Sequence, residues 1–323
     1  MHGQFVWYEL MTPDSEAART FYPAVTAWGT EDWDKDSYSM WTANGEPIGG
    51  IVQLRPDHLA EGMRPMWMPY IEVDAVDSAA ARLSSLGGTV LFGPKDIPGT
   101  GRFAVVADPQ GATFAIHTPQ EPAYAFDGTR TPGRFVWHEL ITTNPDAAFQ
   151  FYSGMFGWVK TNDFDMGPNG KYQMYGHGTA EYGGIYKLSP EWGASAPQWI
   201  CYAHVPDVRK ATTAAARAGA KVMIDYMEVP GGDIIGMMTD PQGALFAVHQ
   251  QPAKPAPKKP ATVAGAKRRK AHVKAKPKAR PKAKQKARSK AKPQVRGKAR
   301  KPVKSRRPAR KTAVRKSKRG RRR

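Results

Sequence analysis

The chain has 323 residues, with 49 Lys and Arg, 28 Asp and Glu, and a single cysteine, Cys201; the length suggests about two domains, and one cysteine excludes an internal disulfide. No run approaches the ~18 consecutive apolar residues of a membrane span, and Met1-His2-Gly3-Gln4-Phe5 does not read as a secretory leader, so a cytoplasmic protein with no membrane partner is expected. The charge is divided: residues 1–250 hold all 28 acidic residues and 16 of the 49 basic ones, a net −12, whereas residues 251–323 carry 33 Lys and Arg and no acid, so an acidic body bears a basic arm.

Residues 5–10 alternate among aromatic and β-branched types and are predicted to form a strand. Pro13-Asp14-Ser15-Glu16 starts a helix, with a capping residue followed by an acid in the first turn. Ala17, Ala18, Phe21 and Tyr22 continue it at helical spacing. Residues 38–41 and 49–52 read as two strands around an Asn44-Gly45 turn. A Pro-rich loop leads to a strand at 70–73 and a helix over 74–86, which stops at Gly87-Gly88. Strands follow at 89–92, 101–107 and 112–117, the last two joined by the turn Asp108-Pro109-Gln110-Gly111.

The chain then says all of this again. Gly3-Gln4-Phe5-Val6-Trp7-Tyr8-Glu9-Leu10 returns as Gly133-Arg134-Phe135-Val136-Trp137-His138-Glu139-Leu140, an offset of 130 residues. Thr12, Phe21, Tyr22 and Trp28 return at the same offset as Thr142, Phe151, Tyr152 and Trp158. Farther on, Tyr172 matches Tyr38, Gly183-Gly184 matches Gly49-Gly50, and Trp199 and Tyr202 match Trp67 and Tyr70. Asp240-Pro241-Gln242-Gly243 matches residues 108–111, and His249 matches His117. The body is an internal duplication.

The motifs W-x-E-L-x-T…F-Y…W and D-P-Q-G-A-x-F-A over residues 1–250 resemble the vicinal oxygen chelate superfamily, the glyoxalase I, bleomycin-resistance and extradiol-dioxygenase group, and in particular its tandem glyoxalase-like members. The resemblance implies an α+β fold of four βαβββ modules forming two tandem cupped-sheet domains. These are expected at 1–120 and 133–250, with a linker at 121–132. It also implies metal ligands at three positions per domain. Those positions hold Trp7, Met68 and Ala115 in the first domain and Trp137, Ile200 and Ala247 in the second. None is a ligand for a hard cation, so neither metal nor cofactor is expected.

Strand pleating assigns the concave face. Trp7, Met68, Tyr70, Glu72 and His117 in one copy, and Trp137, Tyr202, His204 and His249 in the other, are predicted to contact a small ligand. Glu9 and Glu139 lie one pleat beyond the Trp, where a carboxylate on an apolar face costs free energy unless it is bonded or used. They are the candidate general bases or ligand anchors, or else carboxylates satisfied by a neighbouring Tyr or backbone N–H. His138 and Cys201 fall on the opposite, helix-side pleat and read as packing residues. The glycine pairs lack the phosphate-loop pattern and read as bulges or close backbone approaches.

From about residue 251 Lys, Arg, Ala and Pro dominate, a composition that cannot bury enough surface to offset its ordering entropy. This arm resembles linker-histone tails and is predicted to be disordered and to bind nucleic acid through Lys267, Arg268, Arg269, Lys270, Lys274, Lys276 and Lys278, by counterion release rather than base reading. The expected protein is a monomer or weak dimer. It binds a small aromatic or carbonyl-containing molecule and associates with the nucleoid. The alternatives are a lyase or dioxygenase of the same superfamily, metal-free or with a relocated metal, and a DNA-associated structural protein.

Overall fold

A computed structural model describes residues 2–34, 38–121, 126–189 and 195–252. The nucleic-acid residues anticipated at 267–278 lie outside the described residues. Among the described residues no helix is long and apolar enough to cross a membrane.

The first half runs β1 (Phe5–Thr12), α1 (Ser15–Thr26), β2 (Gly29–Asp34), β3 (Tyr38–Ala43), β4 (Glu46–Gln53), the short α2 (Pro56–Ala60), β5 (Met66–Glu72), α3 (Val76–Ser85), β6 (Thr89–Ile97), β7 (Gly101–Ala107) and β8 (Thr113–Pro119). The second half runs β9 (Phe135–Thr142), α4 (Pro145–Phe156), β10 (Val159–Asp165), β11 (Lys171–His177), β12 (Ala180–Lys187), β13 (Gln198–His204), α5 (Val208–Arg217), β14 (Lys221–Glu228), β15 (Ile234–Thr239) and β16 (Leu245–Gln250). Each half is one eight-stranded mixed sheet, in the order β2-β3-β4-β1-β5-β8-β7-β6 and β10-β11-β12-β9-β13-β16-β15-β14. The repeated Phe-Val-Trp strands, β1 and β9, are central. Each pairs antiparallel with the first strand of the following module, Trp7 opposite Tyr70 and Trp137 opposite Tyr202.

The strand after each first helix, β2 and β10, was not anticipated at 29–34 or 159–165, and neither was α2. Both strands are edge strands and almost wholly exposed. Their Gly-Thr-Glu-Asp-Trp-Asp and Val-Lys-Thr-Asn-Asp-Phe-Asp sequences therefore carry no two-residue apolar period to detect. The helix starts agree with the capping chemistry. Asp14 accepts a hydrogen bond from the Ala17 amide, and Asn144 does the same for Ala147. At the other end Gly157 takes the left-handed C-cap at φ 70°, and in the first copy Ala27 is held there at φ 61°.

The helix-bearing faces of the two sheets share one hydrophobic core. Phe5, Tyr8, Trp28 and Trp67 pack in it together with Phe135, Trp158, Trp199 and Phe246. Two buried bonds cross reciprocally. Tyr22 donates its hydroxyl proton to Asp240 at 2.8 Å, and Tyr152 donates to Asp108 at 3.2 Å. At the centre Tyr8 and His138 share a 2.6 Å hydrogen bond. Between the sheets, buried Phe126 donates its amide to the Phe5 carbonyl at 2.8 Å and packs its ring edge against His138. With these faces joined, each concave face is left free to form a cup.

Candidate functional site

The cups are built from a repeated set of four side chains. In the first, Glu9 accepts hydrogen bonds from the Tyr38 hydroxyl at 2.9 Å and the Tyr70 hydroxyl at 2.6 Å, and Trp7 donates its indole N–H to the Tyr38 oxygen at 3.0 Å. In the second, Glu139 accepts from Tyr172 and Tyr202, both at 2.6 Å, and Trp137 donates to the Tyr172 oxygen at 2.7 Å. Tyr186 adds a further hydrogen bond to Glu139. Burial pushes both carboxyls above their ordinary range, and the tyrosine hydroxyls only partly offset it. Each carboxyl thus holds its proton to higher pH than a solvated Glu would.

The glycine pairs explain how a tyrosine reaches that glutamate. A Cβ on Gly50 would fall 1.8 Å from the Tyr38 hydroxyl, and one on Gly184 would fall 2.0 Å from the Tyr172 ring. The second glycine of each pair is bare because the tyrosine lies across it. The first, Gly49 or Gly183, would drive a Cβ to 2.2 Å from the Tyr8 carbonyl oxygen or 1.6 Å from that of His138. Tyr38, Tyr172 and Tyr186 were not among the expected site residues. Tyr38 and Tyr172 recur in register with the Gly-Gly pairs, which was the available signal.

The two cups differ in contents. Over the second sheet lies a cavity of about 850 Å³, walled by Trp137, Tyr172, Tyr186, Tyr202 and Phe164, by Met166, Met174, Met227 and Met237, and floored by Glu139. In the first cup Phe103 occupies the position of Ile235 and stacks on Tyr70 with ring centres 6.1 Å apart. One edge of the second cavity is polar. Arg130 forms an ion pair with Asp233, and His249 Nε2 lies 3.2 Å from the same carboxylate oxygen. Burial raises the Asp233 carboxyl, but the His249 bond and the Arg130 charge outweigh it and hold it below the ordinary range. His204 stands behind His249, its Nδ1 3.2 Å from the His249 Nδ1. Burial, with the neighbouring His249, pushes His204 down. The matching His117 has neither partner. Both its ring nitrogens are buried without a hydrogen bond, and burial lowers its pKa. Gly101 stands where Asp233 would be, and Glu72, the half-buried counterpart of His204, pairs in register with His117. Arg130 and Asp233 carried no sequence signal, because neither recurs and they lie 103 residues apart.

His138 lies on the helix side. It stacks on Phe5 with ring centres 3.7 Å apart, and burial pushes it down to about 3. Cys201 is buried on the same side, its thiol pushed up by burial. The positions at which the resemblance implies metal ligands do converge on the cup faces, Tyr70 sitting between Trp7 and Ala115 in register. Their side chains offer no ligand for a hard cation, however, and among the described residues no group of three or more His, Cys, Asp and Glu is placed to hold a metal. The residues do not fit the superfamily's metal.

This architecture and these repeats have relatives. Residues 7–117 match the Glyoxalase-like domain family, and residues 134–248 match the Glyoxalase/Bleomycin resistance protein/Dioxygenase superfamily. The chain belongs to this superfamily as a tandem pair. Among curated proteins it is 32% identical over 255 residues to CFP32 of Mycobacterium tuberculosis, named as a glyoxylase, covering 78% of this chain and 94% of that one. It is 28% identical over 260 residues to the anthracycline biosynthesis protein DnrV of Streptomyces peucetius, covering 76% and 92%. Among solved structures it superposes on the 2,2',3-trihydroxybiphenyl 1,2-dioxygenase of Sphingomonas wittichii with a TM-score of 0.57, at 12% identity, covering 77% of this chain and 91% of that one. The Mn(II)-bound glyoxalase of Novosphingobium aromaticivorans gives 0.55 at 12% identity, covering 77% and 82%. At such identities these structures speak for the fold alone.

Proposed function

We propose that the chain binds a flat aromatic molecule bearing a carbonyl or hydroxyl oxygen in the cup of its second half. The observation that carries this reading is the cavity of about 850 Å³, whose aromatic and methionine walls surround one buried carboxyl. Such walls suit a planar ring system, and the few convergent polar groups suit its oxygen. Trp137 and Tyr202 form the walls, Glu139 meets the ligand oxygen, and His249 with His204 closes the polar edge. Where the ligand is transformed, the proton passes from the Glu139 carboxyl to the ligand oxygen, and Tyr172 and Tyr202 keep the resulting carboxylate bonded. The anthracycline name of one relative supports a polycyclic aromatic ligand. The first cup, with Trp7, Glu9, Met68, Tyr70, Glu72 and His117, takes a smaller partner in the same reading, and the body divides into domains at 1–120 and 133–250.

The test is calorimetric titration with a hydroxyanthraquinone. One site per chain is expected, and Trp137→Ala should weaken it by about 1–3 kcal/mol, the scale of one large apolar contact. Equal affinity in the variant would place the ligand elsewhere.

The divided charge favours a second function. We propose that residues 251–323, with 33 basic residues and no acid, bind nucleic acid through its phosphates and associate the protein with the nucleoid. Affinity should fall linearly on a log–log salt plot and differ little between sequences. Anisotropy titrations of the full chain and of residues 1–251 at two salt concentrations test this. Equal DNA binding by both would refute it.

A further inference from the structure

We infer that the second cup selects a cationic aromatic ligand, one whose ring system enters the cavity while a protonated amine stays at its mouth. This rests on the reading of that cup as an aromatic site and adds the charge of the ligand. Six side chains carry the charge of the cavity lining: Arg130, Glu139, Asp165, Glu181, Glu228 and Asp233. Arg130 is the single cation among them and is committed to Asp233 in an ion pair. Glu139 is floored under tyrosine hydroxyls and belongs to the buried end. That leaves Asp165, Glu181 and Glu228, all exposed. Among the described residues none of the three forms an ion pair, and Asp165 accepts only the Gly167 amide, at 2.8 Å.

The lining is therefore apolar below and anionic above. An anionic ligand would have to displace Asp233 from Arg130 and pass three carboxylates. A neutral one would gain nothing from them. A cation gains attraction from all three without giving up its water, because the mouth is open. Cavities edged by one sign of charge concentrate counter-charged ligands, and the effect is screened by salt.

The experiment compares three probes of one shape on the full chain: 2-naphthylmethylamine, 2-naphthylmethanol and 2-naphthoate. In dilute buffer the amine should bind about tenfold more tightly than the alcohol, and the carboxylate more weakly than either. Near 1 M salt, where the screening length is about 3 Å, the amine and alcohol affinities should converge. The surface double variant Glu181→Gln/Glu228→Gln should reduce the amine-to-alcohol ratio several-fold. Should the alcohol bind and the amine bind no tighter, charge selection is wrong and the aromatic site stands. A preference for the carboxylate would give Arg130 the deciding role and also overturn the inference. Failure of all three to bind would remove the aromatic-site reading as well.

Discussion

The residue that concentrates the chemistry of the second cup is Glu139. It is buried, and its carboxyl is held by Tyr172, Tyr202 and Tyr186. A carboxyl whose folded pKa is raised keeps its proton at pH values where the unfolded chain has released its own. Its stabilisation is therefore complete below the ordinary value of 4.5 and declines as pH rises from there through the folded value. Glu139→Gln removes this dependence. The stability of the variant relative to wild type should therefore be greater at about pH 8 than at about pH 4.5, as measured by urea unfolding. An unchanged difference between the two pH values would mean that burial does not perturb Glu139. His138 is the residue-scale contrast. It stands beside Glu139 in sequence but one pleat away, and its bonds to Tyr8 and to the Tyr182 carbonyl make it part of the core.

At the scale of elements, the same feature is solved well in one copy and poorly in the other. The helix α4 ends on Gly157 at φ 70°, and α1 ends on Ala27 at φ 61°. A left-handed alanine is strained by about 1 kcal/mol. Ala27→Gly should therefore raise the stability of the protein by up to about 1 kcal/mol, visible as a higher denaturation midpoint with an unchanged slope. The strand β12 makes the opposite demand. Gly183→Ala would press a Cβ to 1.6 Å from the backbone of β9, and backbone cannot rotate away as a side chain can. It should cost more than about 3 kcal/mol, whereas Gly157→Ala, in open space, should cost only about 1 kcal/mol. Comparable costs for the two alanines would refute the close-packing account of the glycine pair.

At the scale of the whole molecule, the two sheets are separate ladders with a common core. Tyr22 reaches Asp240 across 218 residues, and Tyr152 reaches Asp108 across 44. Burial raises both aspartates. Removing a tyrosine hydroxyl leaves its buried carboxyl one donor short, so Tyr22→Phe and Tyr152→Phe should each cost about 1–3 kcal/mol. Because the core is continuous, the body should unfold in one transition, with the calorimetric and van't Hoff enthalpies equal. Two resolved transitions in the calorimeter would show that each half keeps a core of its own.

The sequence by itself determined the repeat, the superfamily and the side of each central strand on which a residue lies. Trp7 and Glu9 must share a face once residues 5–10 are extended, because alternation is a property of the backbone. The helix starts were equally local, since a cap reaches its amide within three residues. The edge strands β2 and β10 are not legible in the sequence because exposed strands need no apolar period. What converts Glu139 from a lone carboxylate into a proton-holding site is not local at all. Tyr172 and Tyr202 are 33 and 63 residues away from it, and the glycine that admits Tyr172 lies on the strand between. Likewise Arg130 meets Asp233, 103 residues away, only once the second sheet has formed. The two cups also differ in what lines them, Phe103 in one sheet standing where Ile235 stands in the other. That exchange of one large apolar residue for another leaves the pattern unchanged and alters only the space enclosed, which depends on how side chains from several strands converge and is therefore decided by the tertiary structure.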